Sequence, residues 1–158
     1  MKKLILFSFL FLSACGFSPL YKEVSTQGDS VPVKVAPIPD QYGFAMRQVI
    51  QNKLGNSSDS QYTLTVSAPT FSNWDQTIDD KNFTTIMGIS GSVDYFLTEN
   101  TSHQKVLNSS VSLTSSYSVV KDPYATTVAE RKVKKELAEQ LAEQVSLHVL
   151  AVLAGVHQ

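Results

Sequence analysis

The chain has a single cysteine among its 158 residues. One cysteine has no partner for a disulfide within the chain, so no disulfide framework holds this fold. Histidine is also scarce, and the spacing of His103, His148 and His157 is not that of metal ligands. With 13 basic residues against 14 acidic ones, the chain lacks the excess positive charge that is typical of nucleic-acid binding.

Motifs for catalysis are missing as well. The chain contains no G-x-S-x-G sequence and no phosphate-binding Walker loop. Asp75, Asp79 and Asp80 lie close together, but they lack the spacing of an EF-hand, and we interpret them as a solvated acidic loop. We therefore predict a protein that is not an enzyme and that uses no metal and no dissociable cofactor.

The N-terminus shows the pattern of an exported protein. A basic flank, Met1-Lys2-Lys3, precedes an apolar run over residues 4–14, and the run ends in small residues. A membrane-spanning helix needs about 20 apolar residues, so this run is too short to be one. The layout predicts a secretory signal peptide over residues 1–14.

The lone cysteine follows this segment directly. Leu12-Ser13-Ala14-Cys15 resembles the bacterial lipobox, in which the chain is cut before the cysteine and the cysteine receives a diacylglycerol and an acyl chain. Lipidation consumes a thiol that would be a liability in an oxidising compartment. We predict that Cys15 is the membrane anchor and that residues 15–30 form a lipidated tether.

The remainder, residues 31–158, is predicted to be a single α+β domain. Alternating apolar residues predict strands over 31–36, 62–68, 87–97 and 107–119. Apolar residues at helical spacing predict helices over 41–54, between Asp40 as N-cap and Gly55, and over about 125–154. The β-α-β-β-β-α order favours a four-stranded, mostly antiparallel (mixed) sheet with two helices packed on one face.

One aromatic segment lies outside these elements, and we interpret it as a loop. Residues 71–83, "FSNWDQTIDDKNF", contain the only tryptophan, Trp74. The predicted topology places Lys81, Lys121 and Tyr124 near it, at one end of the sheet. Two interpretations stay open, a contact site for a partner or for an anionic amphiphile, and a local hydrophobic cap on the sheet end.

Two segments of the chain resemble the LptE family, also called RlpB. These are "CGFSPLY" after the lipobox and "YATTVAERKVKKELAEQLAEQVSLHVLAVL" near the C-terminus. The resemblance implies a four-stranded sheet with two helices, a site inside the LptD β-barrel of the outer membrane as plug and assembly partner, and binding of lipopolysaccharide. Gly16 after the anchor is permissive for the outer membrane, on its periplasmic side.

Two other functions are compatible with the same features. One is a lipoprotein adaptor that binds a different envelope partner. The other is a lipid-anchored hydrolase or glycan-binding protein. A stable interface with a barrel would favour the LptE interpretation, and turnover or a soluble ligand would favour the others.

Overall fold

A computed structural model of the chain describes residues 33–57, 59–78 and 83–156. Strands and helices follow one another in the order β1, α1, β2, β3, β4, β5, α2. Their bounds are Val33–Val35, Gln41–Leu54, Tyr62–Val66, Thr70–Ile78, Thr84–Glu99, Lys105–Ser118 and Pro123–Val156.

The 16-residue strand β4 is the centre of the sheet. It pairs antiparallel with β2, β3 and β5, and β1 joins the sheet by parallel pairing with β2. The chain crosses from β1 through α1 to the parallel strand β2. The α+β class and the order of elements are confirmed, but the sheet has five strands rather than four.

The additional strand is β3, which occupies most of the segment predicted as a loop. Eight of its nine residues are exposed, and only Phe71 is partly covered. A strand that lies largely outside the hydrophobic core shows no alternation of apolar and polar residues. The loop prediction for residues 71–83 was therefore wrong for residues 71–78, which pair with β4.

β2 and β3 form two halves of one interrupted strand beside β4. Val66 lies opposite Tyr95 and Thr70 lies opposite Ser92, so the β2–β3 side carries one residue more than β4. Pro69 falls in this gap and has no N–H to donate. The sheet is consequently four strands wide beside β2, where β1, β2, β4 and β5 adjoin, and three strands wide beside β3.

The core lies between one face of the sheet and the two helices. Alternate residues of β4 point toward the helices, and the apolar ones are almost fully buried: Ile89, Val93, Tyr95 and Leu97. Apolar residues at helical spacing on α1 and α2 are buried against this face of the sheet. They are Met46, Ile50, Leu54, Leu137, Ala138, Leu141, Ala142, Val145, Val149 and Leu153.

Both helices begin at capping residues. The Asp40 carboxylate accepts a hydrogen bond of 2.6 Å from the Gln41 N–H, and Gly55 ends α1 at a φ of 77°, as predicted. Asp122 accepts from the Tyr124 N–H at 2.9 Å, so α2 begins at Pro123.

The second helix also ends later than predicted. The helix was predicted to end at about residue 154, and α2 continues through Gly155 to Val156. Three ion pairs within it have the i,i+4 spacing, Glu130–Lys134, Lys132–Glu136 and Lys135–Glu139.

Leu141 of α2 packs against the middle of β4. It is fully buried, and a Cβ added to Gly91 would lie 3.2 Å from its Cδ1 atom. We expect Leu141→Ala to lower the free energy of unfolding by about 2–5 kcal/mol, because it leaves a cavity. Equilibrium urea unfolding measures this change.

The control is Leu147→Ala on the same helix, where the side chain is 43% exposed. This substitution should change the free energy of unfolding by less than about 0.5 kcal/mol. Equal effects of the two variants would contradict the assignment of the buried face of α2.

Candidate partner-binding surfaces

Two of the predicted functional residues lie outside the described part of the chain. They are the lipidation site Cys15 and the tip residue Lys81. Their roles stay predictions, as do the signal peptide over 1–14 and the tether over 15–30.

Trp74 lies on the outer face of the sheet, away from the helices. It is opposite Gly88 in the register of β3 and β4, and a Cβ added to Gly88 would lie 2.2 Å from its indole ring. The glycine therefore makes room for the ring to lie flat against the neighbouring strand. The indole is 42% exposed, which leaves one side of it open to a partner.

Lys121 and Tyr124 lie where β5 leads into α2. Tyr124 is 76% exposed, and the strand end is fixed by the Val119 N–H, which donates to the Thr85 carbonyl oxygen at 2.9 Å. The end of β5, the end of β3 and the start of β4 lie at the same end of the sheet.

The predicted grouping of Lys81, Lys121 and Tyr124 around Trp74 stays a prediction. The neighbours of Trp74 in β3, Asn73 and Asp75, lie on the helix side of the sheet, so Trp74 itself lies on the opposite side from α2. Tyr124 belongs to the first turn of α2. Trp74 thus lies on the outer face of the sheet, and Tyr124 lies at the start of the helix that covers the other face.

Hydroxyl groups line the outer face of the sheet. Alternation along β5 places polar residues there, and the adjacent strands add more. The Thr70 and Ser92 hydroxyls are 2.8 Å apart across β3 and β4, and the Ser90 hydroxyl donates to the Ser72 carbonyl. The further members from β5 are Asn108, Ser110, Ser112, Thr114, Ser116 and Ser118.

A small polar cluster closes the core on the helix side. The Asn73 amide donates to the Glu130 carboxylate at 3.1 Å and to the Tyr117 hydroxyl at 3.4 Å, and the Lys134 ammonium lies 2.6 Å from Glu130. The hydrogen bond from Lys134 holds the pKa of Glu130 below its ordinary value. Burial, with a smaller contribution from the Glu130 charge, raises the pKa of Tyr117.

An open groove of about 670 Å³ between the two helices was not anticipated from the sequence. Its walls combine aromatic and charged side chains, and Phe44 on α1 is 65% exposed. The sequence feature that points to this groove is an aromatic residue, Phe44, on the polar side of the helix predicted over residues 41–54. The other lining residues are Gln41, Tyr42, Ala45, Gln48, Arg131, Lys135 and Glu139.

Metal ligands do not converge in the described ranges. No three His, Cys, Asp or Glu side chains of residues 33–57, 59–78 and 83–156 come together as a site for an ion. Neither α1 nor α2, the two helices described, combines the length and the hydropathy that crossing a bilayer requires.

Comparison with known proteins places this fold among bacterial lipoproteins. Rare lipoprotein B from Shewanella oneidensis superposes with a TM-score of 0.66 at 8% sequence identity, over 80% of this chain and 98% of that one. A minor lipoprotein from Acinetobacter baumannii gives 0.60 at 16% identity, over 79% and 94%. A lipoprotein B from Nitrosomonas europaea gives 0.57 at 14% identity, over 82% and 94%.

Sequence comparison adds nothing to this likeness. No family model and no curated protein matches the chain. The likeness therefore rests on the fold, which is that of a small α+β lipoprotein domain. More particularly, it is the fold of rare lipoprotein B, as the resemblance to the LptE family implied.

The polar cluster predicts a pH dependence of stability. Because folding lowers the pKa of Glu130, its stabilising contribution is present above the ordinary carboxyl pKa of about 4.3 and is lost as the pH falls through the lower folded value. Glu130→Gln should reduce stability at pH 7 by at most about 1 kcal/mol and bring variant and wild type together near pH 3.

Urea unfolding at several pH values measures this difference. Glu136→Gln is the control, since its pair with Lys132 spans 3.7 Å and its side chain is 51% exposed. A gap between Glu130→Gln and wild type that is the same at pH 7 and pH 3 would show that the carboxylate has no special environment.

Proposed function

We propose that this chain is an LptE-type lipoprotein. In this role it is anchored through Cys15 to the periplasmic side of the outer membrane. It associates with an LptD-like β-barrel as plug and assembly partner, binds lipopolysaccharide and assists its insertion into the outer leaflet. The protein acts as a subunit and not as an enzyme.

The observation that carries this proposal is the fold. The likeness to rare lipoprotein B extends over 98% of that protein, so it involves the whole domain rather than a common substructure. The lipobox at Cys15 and the "CGFSPLY" segment are independent sequence features that agree with it.

The outer face of the sheet supports an association with a barrel. The lumen of a wide transmembrane barrel is polar, and a protein enclosed there needs polar surfaces on several sides. Exposed hydroxyl side chains on β4 and β5 meet this need, and they form hydrogen bonds without adding charge. Trp74 provides one aromatic anchor within this polar face.

Anchoring depends on the thiol of Cys15. We expect Cys15→Ser to be exported without lipid and recovered in the soluble periplasmic fraction, since the serine hydroxyl does not accept the diacylglycerol in place of a thiol. Fractionation combined with radioactive palmitate labelling measures this outcome. Normal labelling of the serine variant would refute the lipobox.

Partner binding depends on the outer face. We expect the tagged wild-type protein, extracted from outer membranes in detergent, to co-purify with a large β-barrel in equal amounts. Trp74→Ala should lower the recovered barrel several-fold, because a half-exposed aromatic side chain is removed from the contact.

Two further variants separate this surface from others. Phe44→Ala removes an exposed aromatic from the groove between the helices and should leave the recovered barrel unchanged. Lys121→Glu, combined with Trp74→Ala, tests the strand end. Recovery of a different protein, or of no partner, would overturn the proposed role.

A further inference from the structure

The strand β5 forms a long free edge of the sheet. It extends over 14 residues and pairs with β4 on one side, and no other strand in the described ranges pairs with it. A free edge exposes a row of backbone N–H and C=O groups that a second strand can pair with.

The hydrogen bond at the end of β5 shows which residues present these groups. Val119 donates its N–H to Thr85, so its backbone groups point toward β4. Backbone direction alternates along an antiparallel strand, and alternate residues from Ser118 back to Asn108 therefore point their groups to the free side. Ser112, in the middle of the strand, is one of these.

Free edges are commonly protected by proline, charge or bulges. The other long edge, β3, has all three: Pro69 precedes it, Asp75 lies within it and register shifts surround Thr77. From Val106 to Ser118, β5 has no proline and no charged residue. The contrast indicates that the β5 edge is kept open for a strand.

The sequence of β5 is nearly palindromic. Residues 107–117 read "LNSSVSLTSSY", with Ser112 at the centre. Two residues at equal distances before and after Ser112 are either both apolar or both polar. Val111 corresponds to Leu113, and Leu107 corresponds to Tyr117. The polar residues correspond in the same way, with Ser110 to Thr114, Ser109 to Ser115 and Asn108 to Ser116.

We propose that the free protein forms a twofold symmetric dimer in which the β5 strands of two copies pair antiparallel, centred on Ser112. An antiparallel pair relates each residue to its mirror position in the partner, so the palindrome places apolar residues opposite apolar ones on the helix side. Polar residues lie opposite polar ones on the outer side.

The direction of the backbone agrees with this register. Ser112 points its N–H and C=O to the free edge, so the two copies of this residue exchange both hydrogen bonds at the twofold axis. The pairs of Ser110 with Thr114 and of Asn108 with Ser116 have the same geometry. In a register shifted by one residue, a residue whose N–H and C=O point to the free edge would face one whose N–H and C=O point toward β4.

The side of α2 that contains His148 carries no charged residue between Gln140 and Ala151, so it adds no like charges there. Lys53 of α1 lies 3.4 Å from Glu143, which identifies the side of α2 that faces α1. The Nδ1 atom of His148 lies 2.6 Å from the hydroxyl of Tyr95 in β4, on a different side of α2 from Glu143. Along that flank of α2, the helical period places residues without Lys, Arg, Asp or Glu side chains: Gln140, Gln144, His148 and Ala151.

The dimer is expected to be weak. Strand pairing along one edge buries less surface than the roughly 1,200 Å² of a small stable interface, so a dissociation constant in the micromolar range follows. The inference concerns the free protein and does not rest on the proposed function. A barrel that binds the same protein would compete with the second copy.

Cysteine cross-linking tests the register. In full-length chains with Cys15→Ser, Ser112→Cys should oxidise to a dimer, because the Cα atoms of a hydrogen-bonded antiparallel pair are about 5.5 Å apart, within disulfide range. Ser116→Cys alone should stay monomeric, since its two copies would be about 27 Å apart. Mixing Ser116→Cys with Asn108→Cys should restore the cross-linked dimer.

Sedimentation of the unoxidised protein tests the association itself. Ser112→Lys places two like charges opposite each other at the axis and should weaken the dimer about fivefold or more. Ser116→Lys, which faces Asn108 of the second copy, should have a smaller effect. Far-ultraviolet circular dichroism verifies that both variants are folded.

Three results would overturn the proposal. The first is a protein that stays monomeric at concentrations up to about 1 mM, where micromolar affinity gives a dimer. The second is cross-linking of Ser116→Cys alone to the same extent as Ser112→Cys. The third is equal weakening of the dimer by the two lysine substitutions. The proposal would also be overturned if a strand of a different protein bound at this edge and the chain did not self-associate.

Discussion

The fold depends on one strand that pairs on both sides along almost its entire length. β4 contacts β2 and β3 on one side and β5 on the other, so its alternation decides which face of the whole sheet is apolar. Its inward residues Ile89, Val93, Tyr95 and Leu97 are 0–2% exposed. The two helices cover that face, and the outer face is left to hydroxyl groups.

The parts of the fold that were predictable are those with a strong local pattern. The cap at Asp40, the helical spacing from Met46 to Leu54 and the alternation around Leu64 each point to one structure. Trp74 was misplaced because β3 buries almost nothing, and its position depends on the pairing with Gly88, which is distant in sequence. The groove at Phe44 requires both helices and has no local signature.

A sheet covered on one side only has two different surfaces available for binding. The outer face is broad and mostly polar, with the aromatic residues Trp74 and Phe96, and suits a polar enclosure. The β5 edge is narrow and acts through its backbone, with a palindromic sequence that suits a second copy. The two surfaces meet at residues such as Thr114, so one partner at the outer face restricts access to the edge.

The most direct test of the proposed role is a photo-cross-linking measurement in living cells, with a photoreactive residue replacing Thr114 on the outer face of β5. The account predicts an ultraviolet-dependent adduct between the lipoprotein and a large β-barrel of the outer membrane. Adducts only with a second copy of the chain, or with a protein that is not a barrel, would contradict it.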